Sequence, residues 1–582
     1  MNWRRARYNA VKISGERQSA LVMAQSRLSF LCVGFILCYM MIMVRMVDLS
    51  VVQNKMLFSE NQSELSQSDA GVIDITARRG SIYDRNGFLV ATTLKSPSLF
   101  VDPSLIISPE RMIGALERVF PDLDKKKTLR VLSADNRFGW IKRGITPEQQ
   151  ERVLEIGSPA LGFQYEQKRV YPQKSLFSHL VGFTDRDGLG LSGVERSFDD
   201  ILSRGEDVHL TMDLRLQHLV RREVQAAISD FAANAGAGVI MDAQTGEVLA
   251  GVSLPDFDVN LASHANDNEK FNRLTLGVYE LGSMFKIFST AALLELHDIP
   301  MDFTFDARKP IKIGRFSIND YHAQKRVLTV PEVFMHSSNI GSAMMGQMVG
   351  GDALRGFYAD LGLMDTMNTD VKEVGSPLLP NPWREVNTMT AAYGHGLATT
   401  PLQMSAGVAT VVNGGISVRP IMVKRENSQG IKSEVQVMSE KTSERMRKLL
   451  RLVVTEGTGK NADVSGYMVG GKTGTAEKSV NGRYDRGKLI SSFVGAFPMN
   501  DPKYVVMVMV DEPHGNKKSY GYATAGWVAA PAVKRIVSGM ASVLGIPSDQ
   551  YAQDDDISND LTRFVHDPKK KQGGKKLVSY SR

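Results

Sequence analysis

Cysteine is all but missing from this 582-residue chain, and the two present, Cys32 and Cys38, share one apolar stretch. No disulfide framework can brace the rest, so the fold tolerates an oxidising compartment without depending on it. The 10 histidines show no metal-ligand spacing, which leaves no motif for a zinc site. No internal repeat at solenoid periods is present. A basic body suited to nucleic acid is lacking too. Net charge is +7, yet six Lys/Arg fall within residues 1–27 and six within 568–582, leaving the remainder slightly acidic. The basic ends read as solvated tails near anionic lipid or cytoplasm.

Long uncharged runs are scarce, with one exception. "LSFLCVGFILCYMMIMV", Leu28 to Val44, holds 17 residues without a charge. A membrane span takes about 17 to 25 such residues, and Arg45 and Asp48 can lengthen this one by snorkelling. The following "RMVDLSVVQNKM" lacks a small-x-small cleavage pattern, which favours an uncleaved anchor over a signal peptide. The expected layout is a cytoplasmic basic tail at 1–27 and a transmembrane helix at 28–49, with everything beyond outside the cytoplasm.

What is present is ordinary globular material: 43% hydrophobic and 23% charged residues, in a chain long enough for two or more domains. Residues 50–205 read as an extended, mixed region with hairpin signals at "DRNG" and "DRDG". From 206 to 547 the texture changes. "TMDLRLQHLVRREVQAAISDF" puts Leu216, Val220, Val224, Ala227, Ile228 and Phe231 on one helical face, with Asp213 as its cap. "GAGVIMDAQTGEVLAGVSL" reads as a hairpin, and "LISSFVGAFP" with "YVVMVMVDEP" as two more strands at hairpin spacing. Strands at both ends of a domain with helices between them predict an α+β fold whose sheet closes by non-local pairing. Residues 548–582 lack apolar periodicity and are expected to be a disordered tail.

Within the helical middle, "YELGSMFKIF" carries Ser283 and Lys286, three apart in an apolar run. If Ser283 opens the helix, Lys286 projects beside its hydroxyl. Burial lowers a lysine's pKa and makes it a proton acceptor for that hydroxyl. A lone Ser-x-x-Lys is weak, since a lysine at a helix rim is usually a solvated stem. Two further motifs follow in order: "HSSNIGSAM", with Ser337 and Asn339, and "VGGKTGTAEK", with Lys472, Thr473, Gly474 and Thr475. Ser-x-x-Lys, Ser-x-Asn and Lys-Thr-Gly together are the signature of penicillin-binding proteins and class A β-lactamases.

The chain resembles class B penicillin-binding proteins, and most of all the septal, FtsI-type transpeptidases. "ARRGSIYDRNGFLVATT", "KRVYP" and "HLVGFTDRDGLGLSGVERSFD" are similar to the family's pedestal blocks. "LTMDLRLQ", "DAQTGEVLAGVSLPDFDVN", "TPLQMSAGVATVVNGG" and "SFVGAFPMNDPKYVVMVMVDEP" are similar to its transpeptidase landmarks. The resemblance implies a penicillin-binding transpeptidase fold: a central antiparallel sheet with flanking helices and a helical subdomain, after a pedestal and a single membrane helix. It implies that Ser283 attacks the D-Ala-D-Ala carbonyl of a stem peptide while Lys286 takes its proton. Ser337 would relay a proton to the leaving amine, and Asn339 would hold a substrate amide. Lys472 with Thr473 and Thr475 would receive the substrate carboxylate, and the strand through Gly474 would pair with the donor peptide. Backbone N–H groups of Ser283 and Thr475 would form the oxyanion hole.

Implied partners are donor and acceptor stem peptides, β-lactams, an FtsW-like septal glycosyltransferase, other divisome proteins and the membrane, with no metal or organic cofactor. The implied place is the bacterial inner membrane at the division site, with the catalytic domain periplasmic. Three departures stand out. Leu281 replaces the proline usual before Gly-Ser, Val259 replaces that of "FDPN", and "SYGYATAGWVAAP" differs from Gly-Gly-x-x-Ala-x-Pro. The alternatives are an elongation-type class B transpeptidase, a serine D,D-carboxypeptidase or β-lactamase, and a non-catalytic β-lactam sensor or divisome scaffold. A deacylating Glu-x-x-Leu-Asn pentapeptide is missing, which weighs against a class A β-lactamase.

Overall fold

The Asp-Arg-Asn-Gly stretch closes a tight hairpin between β1 (Ile82–Tyr83) and β2 (Leu89–Val101). The structure, a computed structural model, describes residues 37–43, 78–314, 316–424, 435–480, 483–548, 556–566 and 579–580. Asp84 explains the turn. Fully buried, it accepts the N–H groups of Asn86 and Phe88 at 2.8 Å each through Oδ1. Its Oδ2 accepts the N–H of Leu214 at 3.0 Å, tying the turn to the first helix of the catalytic part.

Around β2 the pedestal forms a small sheet. The end of β2 pairs with β3 (Gly139–Lys142), and most of its length pairs with β4 (Leu161–Val170). Three short helices, Pro109–Val119, Lys125–Leu132 and Pro147–Leu154, cover Leu99, Leu116, Phe120, Ile145 and Val153. The chain then returns through β5 (Val208–His209), which lies parallel to β1. One hydrophobic cluster runs from Ile82, Val90 and Tyr171 of the pedestal base into Met212, Val239 and Met284 of the catalytic part. The base of the pedestal is therefore built into the same core as the site.

Beside that base, Glu195 is fully buried between two guanidinium groups. Arg79 and Arg169 each reach it at 2.8 Å, and Arg79 also reaches Asp199 at 2.7 Å. Arg169 further donates to the carbonyl of Gly80 at 2.6 Å. One carboxylate thus joins the irregular segment before β1, the end of β4 and the helix Gly193–Ser197.

The catalytic part begins with α1 (Leu214–Asp230), capped by Asp213, whose carboxylate accepts the N–H of Arg215. Leu216, Val220, Val224 and Ala227 are buried, Phe231 is the C-cap residue, and Ile228 is partly covered. The hairpin of β6 (Ala235–Asp242) and β7 (Val248–Leu254) follows. Next come the helices α2 (Lys286–His297), α3 (Asn339–Val349), α4 (Pro401–Val412) and α5 (Glu440–Thr455). The chain ends its core with β8 (Gly470–Val480), β9 (Arg483–Phe497), β10 (Tyr504–Asp511) and α6 (Ala529–Leu544). The sheet order is β8-β9-β10-β6-β7, every pair antiparallel, so β10 closes against β6 across the whole helical middle. The expected α+β, non-locally closed sheet is this one. Helices α1 and α6 cover one face through Val220, Val224, Ile536 and Val537, and α4 lies against the other. Strand β8 is left at the edge.

Two expectations meet the structure only in part. Of the membrane-spanning stretch 28–49, only 37–43 are described; they are helical and belong to a unit, residues 1–76, separate from the remainder. Among the described residues no helix is long and apolar enough to cross a membrane. The tail expected to be disordered is not so throughout. Residues 556–566 include a short helix, Asn559–Thr562, held to α5 by Asp556 on Arg451 at 2.7 Å and Asp560 on Lys448 at 2.9 Å. Thr329 and Glu332 add bonds to Phe564 and His566. Leu561 is buried in the main core, with Ile557, Phe564 and Val565 packed against it, but the segment is too short for these apolar residues to show a periodicity.

Replacing Glu195 by Gln should leave the buried Arg169 without its countercharge and Arg79 with Asp199 alone. The expected loss is about 3–5 kcal/mol, the usual cost of breaking one side of a buried ion pair, read as a lower urea midpoint of the chain from residue 77 onward.

Candidate functional site

Gly282 sets the geometry of Ser283, the expected nucleophile. The glycine's φ of +56° lies in the left-handed region, and a Cβ there would sit 2.9 Å from the carbonyl oxygen of Thr475. The chain turns through a 3-10 segment, Gly282–Phe285, before α2 starts at Lys286. Ser283 therefore sits in this turn rather than opening the α-helix, because the glycine and the neighbouring strand leave room for nothing wider. Gly474 makes the matching concession from β8: a Cβ on it would lie 2.3 Å from the carbonyl oxygen of Leu281. The nucleophile turn and the edge strand touch backbone to backbone.

Helix α2 is apolar on every side, and Lys286 to Leu294 are all buried. Lys286 is 0% exposed, and its Nζ lies 2.6 Å from the Ser337 carbonyl oxygen, 2.7 Å from Asn339 Oδ1 and 3.1 Å from Ser337 Oγ. Among the described residues none of its hydrogen bonds goes to the Ser283 hydroxyl, which precedes it on the same helical face. Lys472, also 0% exposed, approaches Ser337 Oγ at 3.0 Å from the opposite side. One hydroxyl thus bridges two buried amines.

Their environments differ. Burial first, then the charge of Lys472, pushes the Lys286 pKa well down, with Asp320 opposing. Burial alone lowers Lys472 to about 7. Three oxygens around Lys286 suit an ammonium, but they serve a neutral amine equally. Its two N–H groups can take the two shorter contacts while its lone pair accepts the Ser337 O–H. Ser337 Oγ then accepts from the Lys472 ammonium. With Lys286 neutral and Lys472 charged, every one of these groups has a partner of the right kind.

Ser337 itself is held in a left-handed conformation, φ +58°, which costs a non-glycine residue about 1–3 kcal/mol. Its neighbour Ser338 shows what holds it. Ser338 caps α3 by accepting the N–H of Gly341, and donates to Asp320 Oδ2 at 2.8 Å. Asp320 Oδ1 accepts the N–H of Ile340 at 2.9 Å, and Asn339 Nδ2 donates to the Asn319 carbonyl at 3.0 Å. On the strand side, Thr473 Oγ1 lies 2.8 Å from Thr458 Oγ1, and Thr475 Oγ1 accepts the N–H of Ala525 at 3.1 Å.

Ser283, Ser337, Asn339, Thr473 and Thr475 line one crevice of about 1020 Å³; Lys286 and Lys472 lie behind its floor, and Gly474 faces the nucleophile turn. All eight residues singled out from the sequence come together here. Asn319, Asp320 and Thr458 were missed. They support the motifs from elsewhere in the chain, and nothing local in "SINDYH" or "TEGTGK" marks them.

Residues 236–538 match the penicillin binding protein transpeptidase domain, and residues 74–214 match the penicillin-binding protein dimerisation domain. The chain is a class B penicillin-binding protein. It is 37% identical over 487 residues to a probable peptidoglycan D,D-transpeptidase FtsI of Caulobacter vibrioides, covering 81% of this chain and 82% of that one. It is 30% identical to the probable peptidoglycan D,D-transpeptidase PenA of Neisseria gonorrhoeae, covering 90% and 94%. A crystal structure of a Mycobacterium penicillin binding protein 3 complexed with aztreonam superposes with a TM-score of 0.64 at 26% identity, covering 81% of this chain and 97% of that one.

In this penicillin-binding protein the departures from the family pattern are absorbed locally. Leu281 is fully buried under the nucleophile turn, and Val259 is buried in the main core. The unusual "SYGYATAGWVAAP" loop still supplies the Ala525 N–H that holds Thr475.

Gly474→Ala should cut the second-order rate of acylation by labelled penicillin at least about tenfold, because the new Cβ must separate β8 from the Ser283 turn. Circular dichroism should stay that of the parent. The pH profile of the same rate, which reports the free protein, should fall as pH rises through about 7, where Lys472 loses its proton. Its acid limb should lie below the ordinary lysine range, since neutral Lys286 appears only above its lowered pKa.

Proposed function

We propose that this protein is the septal peptidoglycan D,D-transpeptidase of its cell, working through an acyl-enzyme on Ser283. Its FtsI- and PenA-named relatives and its transpeptidase domain support the reaction class and the division role. The observation that carries the mechanism is Ser337 Oγ, placed 3.1 Å from one buried amine and 3.0 Å from the other in the crevice that Ser283 lines.

Ser283 Oγ bonds to the carbonyl carbon between the two terminal D-alanines of a donor stem peptide. Its proton passes to neutral Lys286. The bond to the terminal D-alanine breaks, and Lys286 returns a proton through Ser337 to the leaving nitrogen. Lys472, with Thr473 and Thr475, receives the donor's terminal carboxylate, whose charge favours the lysine's protonated form. Asn339 holds a donor amide. The donor backbone lies along the free edge of β8, opened by Gly474, as an added strand. The N–H groups of Ser283 and Thr475 face the developing oxyanion, a role whose loss typically costs about 10²–10³ in rate. An acceptor amine then attacks the ester, and Ser283 regains its proton. β-Lactams enter the same path at the first step and stay attached.

The remaining parts of the reading concern place and company. The apolar stretch 28–49 anchors the chain in the inner membrane with 1–27 in the cytoplasm and the catalytic domain in the periplasm. An FtsW-like septal glycosyltransferase and other divisome proteins engage the anchor and pedestal.

Labelled penicillin should form a long-lived adduct on the purified extracytoplasmic chain, located at Ser283 by peptide mapping, with none on Ser283→Ala. Rapid drug turnover would instead make the protein a hydrolase. Depletion in cells should give filaments lacking septa; rounding of cells that still divide would move the role to elongation. Ser283→Ala should not rescue division, and rescue would reduce the protein to a scaffold.

A further inference from the structure

The short segment 556–566 lies far along the chain from the three motifs, yet its anchors fall on elements that carry the site. Its first anchor is Asp556, whose Oδ2 accepts the Arg451 Nε–H at 2.7 Å, both side chains being 9% exposed. Asp556 Oδ1 accepts the N–H and the hydroxyl of Ser558 at 2.9 and 2.7 Å, which fixes the carboxylate's aim. Arg451 passes the contact on. Its Nη1 donates to Asp463 and to the carbonyl of Val469, both at 2.7 Å. Val469 stands one residue before β8 and three before Lys472. A Cβ on Gly470 would lie 3.0 Å from the Arg451 backbone nitrogen, so β8 starts in direct contact with α5 here.

The other end of the segment is bonded to the opposite side of the site. The Phe564 carbonyl accepts the Thr329 hydroxyl at 2.8 Å, and the His566 N–H donates to Glu332 Oε1 at 2.6 Å. Thr329 caps the helix Val330–Met335, and Glu332 lies in its first turn. The far end of that helix holds the Ser337 turn: Phe334 accepts the N–H of Ser337 at 3.2 Å, and Val333 that of Ser338 at 2.9 Å. Between the two anchors Leu561 is buried in the main core, and Asp560 pairs with Lys448 of α5 at 2.9 Å.

Ser337 and Lys472 belong to these two elements and meet through one 3.0 Å contact. A hydrogen bond of that kind weakens steeply as its partners separate, and a misplacement of about 1 Å can cost about a hundredfold in rate. Resting on the transpeptidase reading above, we propose that the segment 556–566 is a positioning strap of the catalytic site, holding Ser337 and Lys472 at bonding distance by tying the helix Val330–Met335 to the start of β8. The strap touches neither substrate nor reacting atoms. It acts through Glu332 and Thr329 on Ser337, and through Arg451 on Lys472.

The test follows acylation of the full-length protein, purified in detergent, by labelled penicillin. It resolves the rate of the covalent step and the fraction of molecules that become labelled. A chain ended at Ser548 should be slowed about tenfold in the covalent step, with the labelled fraction and the circular dichroism of the parent. Asp556→Asn, which leaves Arg451 with Asp463 alone, should slow the same step about threefold. A segment that serves only stability would act differently: fewer molecules would be labelled, and those at the parental rate. That result overturns the proposal, as does a shortened chain whose covalent step stays within about twofold of the parent. Where the shortened chain does not fold, Asp556→Asn decides, and a parental covalent rate there overturns the strap. Label on Ser283 of the parent tests the underlying reading separately, since its absence refutes that reading whatever the strap variants do.

Discussion

Two lysines buried against one serine hydroxyl are the constraint around which the catalytic part is arranged. Both amines lie within hydrogen-bond distance of Ser337 Oγ and both are 0% exposed. Each amine lies about 3 Å from that oxygen, so two unit charges there would be no more than about 6 Å apart and repel by at least about 3 kcal/mol at an effective dielectric of 20; one of the pair is driven to be neutral. Lys286 is that one, being lowered by burial and by its neighbour together. Holding Lys472 near 7 rather than at its solution value destabilises the fold at neutral pH by on the order of 5 kcal/mol. The sign follows from the unfolded chain, which binds that proton up to a higher pH than the native one. The large core, the capped helices and the sheet closed through β10 and β6 offset that cost.

The left-handed Ser337 is a second strained element, and the polar lattice around it is what makes it tolerable. Asp320 ties Ser338 and the start of α3 together, and Asn339 is bonded on one side to Lys286 and on the other to Asn319. The hydroxyl that touches both lysines is thereby fixed by groups that themselves touch neither lysine, apart from Asn339.

Much of this was legible in the sequence. Alternating apolar runs and turn residues located the β6–β7 hairpin and strands β9 and β10, and Asp213 stood where a helix cap belongs. The three motifs were readable because each concentrates its chemistry within a few consecutive residues. Asp320 and Thr458 act on those motifs from distant positions, and a residue whose meaning lies in a long-range partner leaves no local signature. That a tight 3-10 turn at Ser283 leads into α2 was not foreseen for a related reason. Only Thr475, far along the chain, explains why Gly282 must bend the backbone so tightly. Residues 556–566 are a third instance: buried Leu561 and the charge pairs of Asp556 and Asp560 with α5 order a segment too short to show apolar periodicity.

The closing of the sheet also has a consequence for biogenesis. Strand β6 pairs with β10 from Asp242 on Tyr504 to Ala235 on Asp511, and every motif residue from Ser283 to Thr475 lies inside that chain loop. The contact order is high, so the crevice cannot be assembled by the emerging polypeptide piece by piece. Until Asp511 has been made, β6 lacks its partner strand, and a prematurely ended chain holds Ser283 and Lys286 without the finished crevice around them. Topology alone thus withholds the finished crevice from an incomplete chain, with no inhibitory segment required.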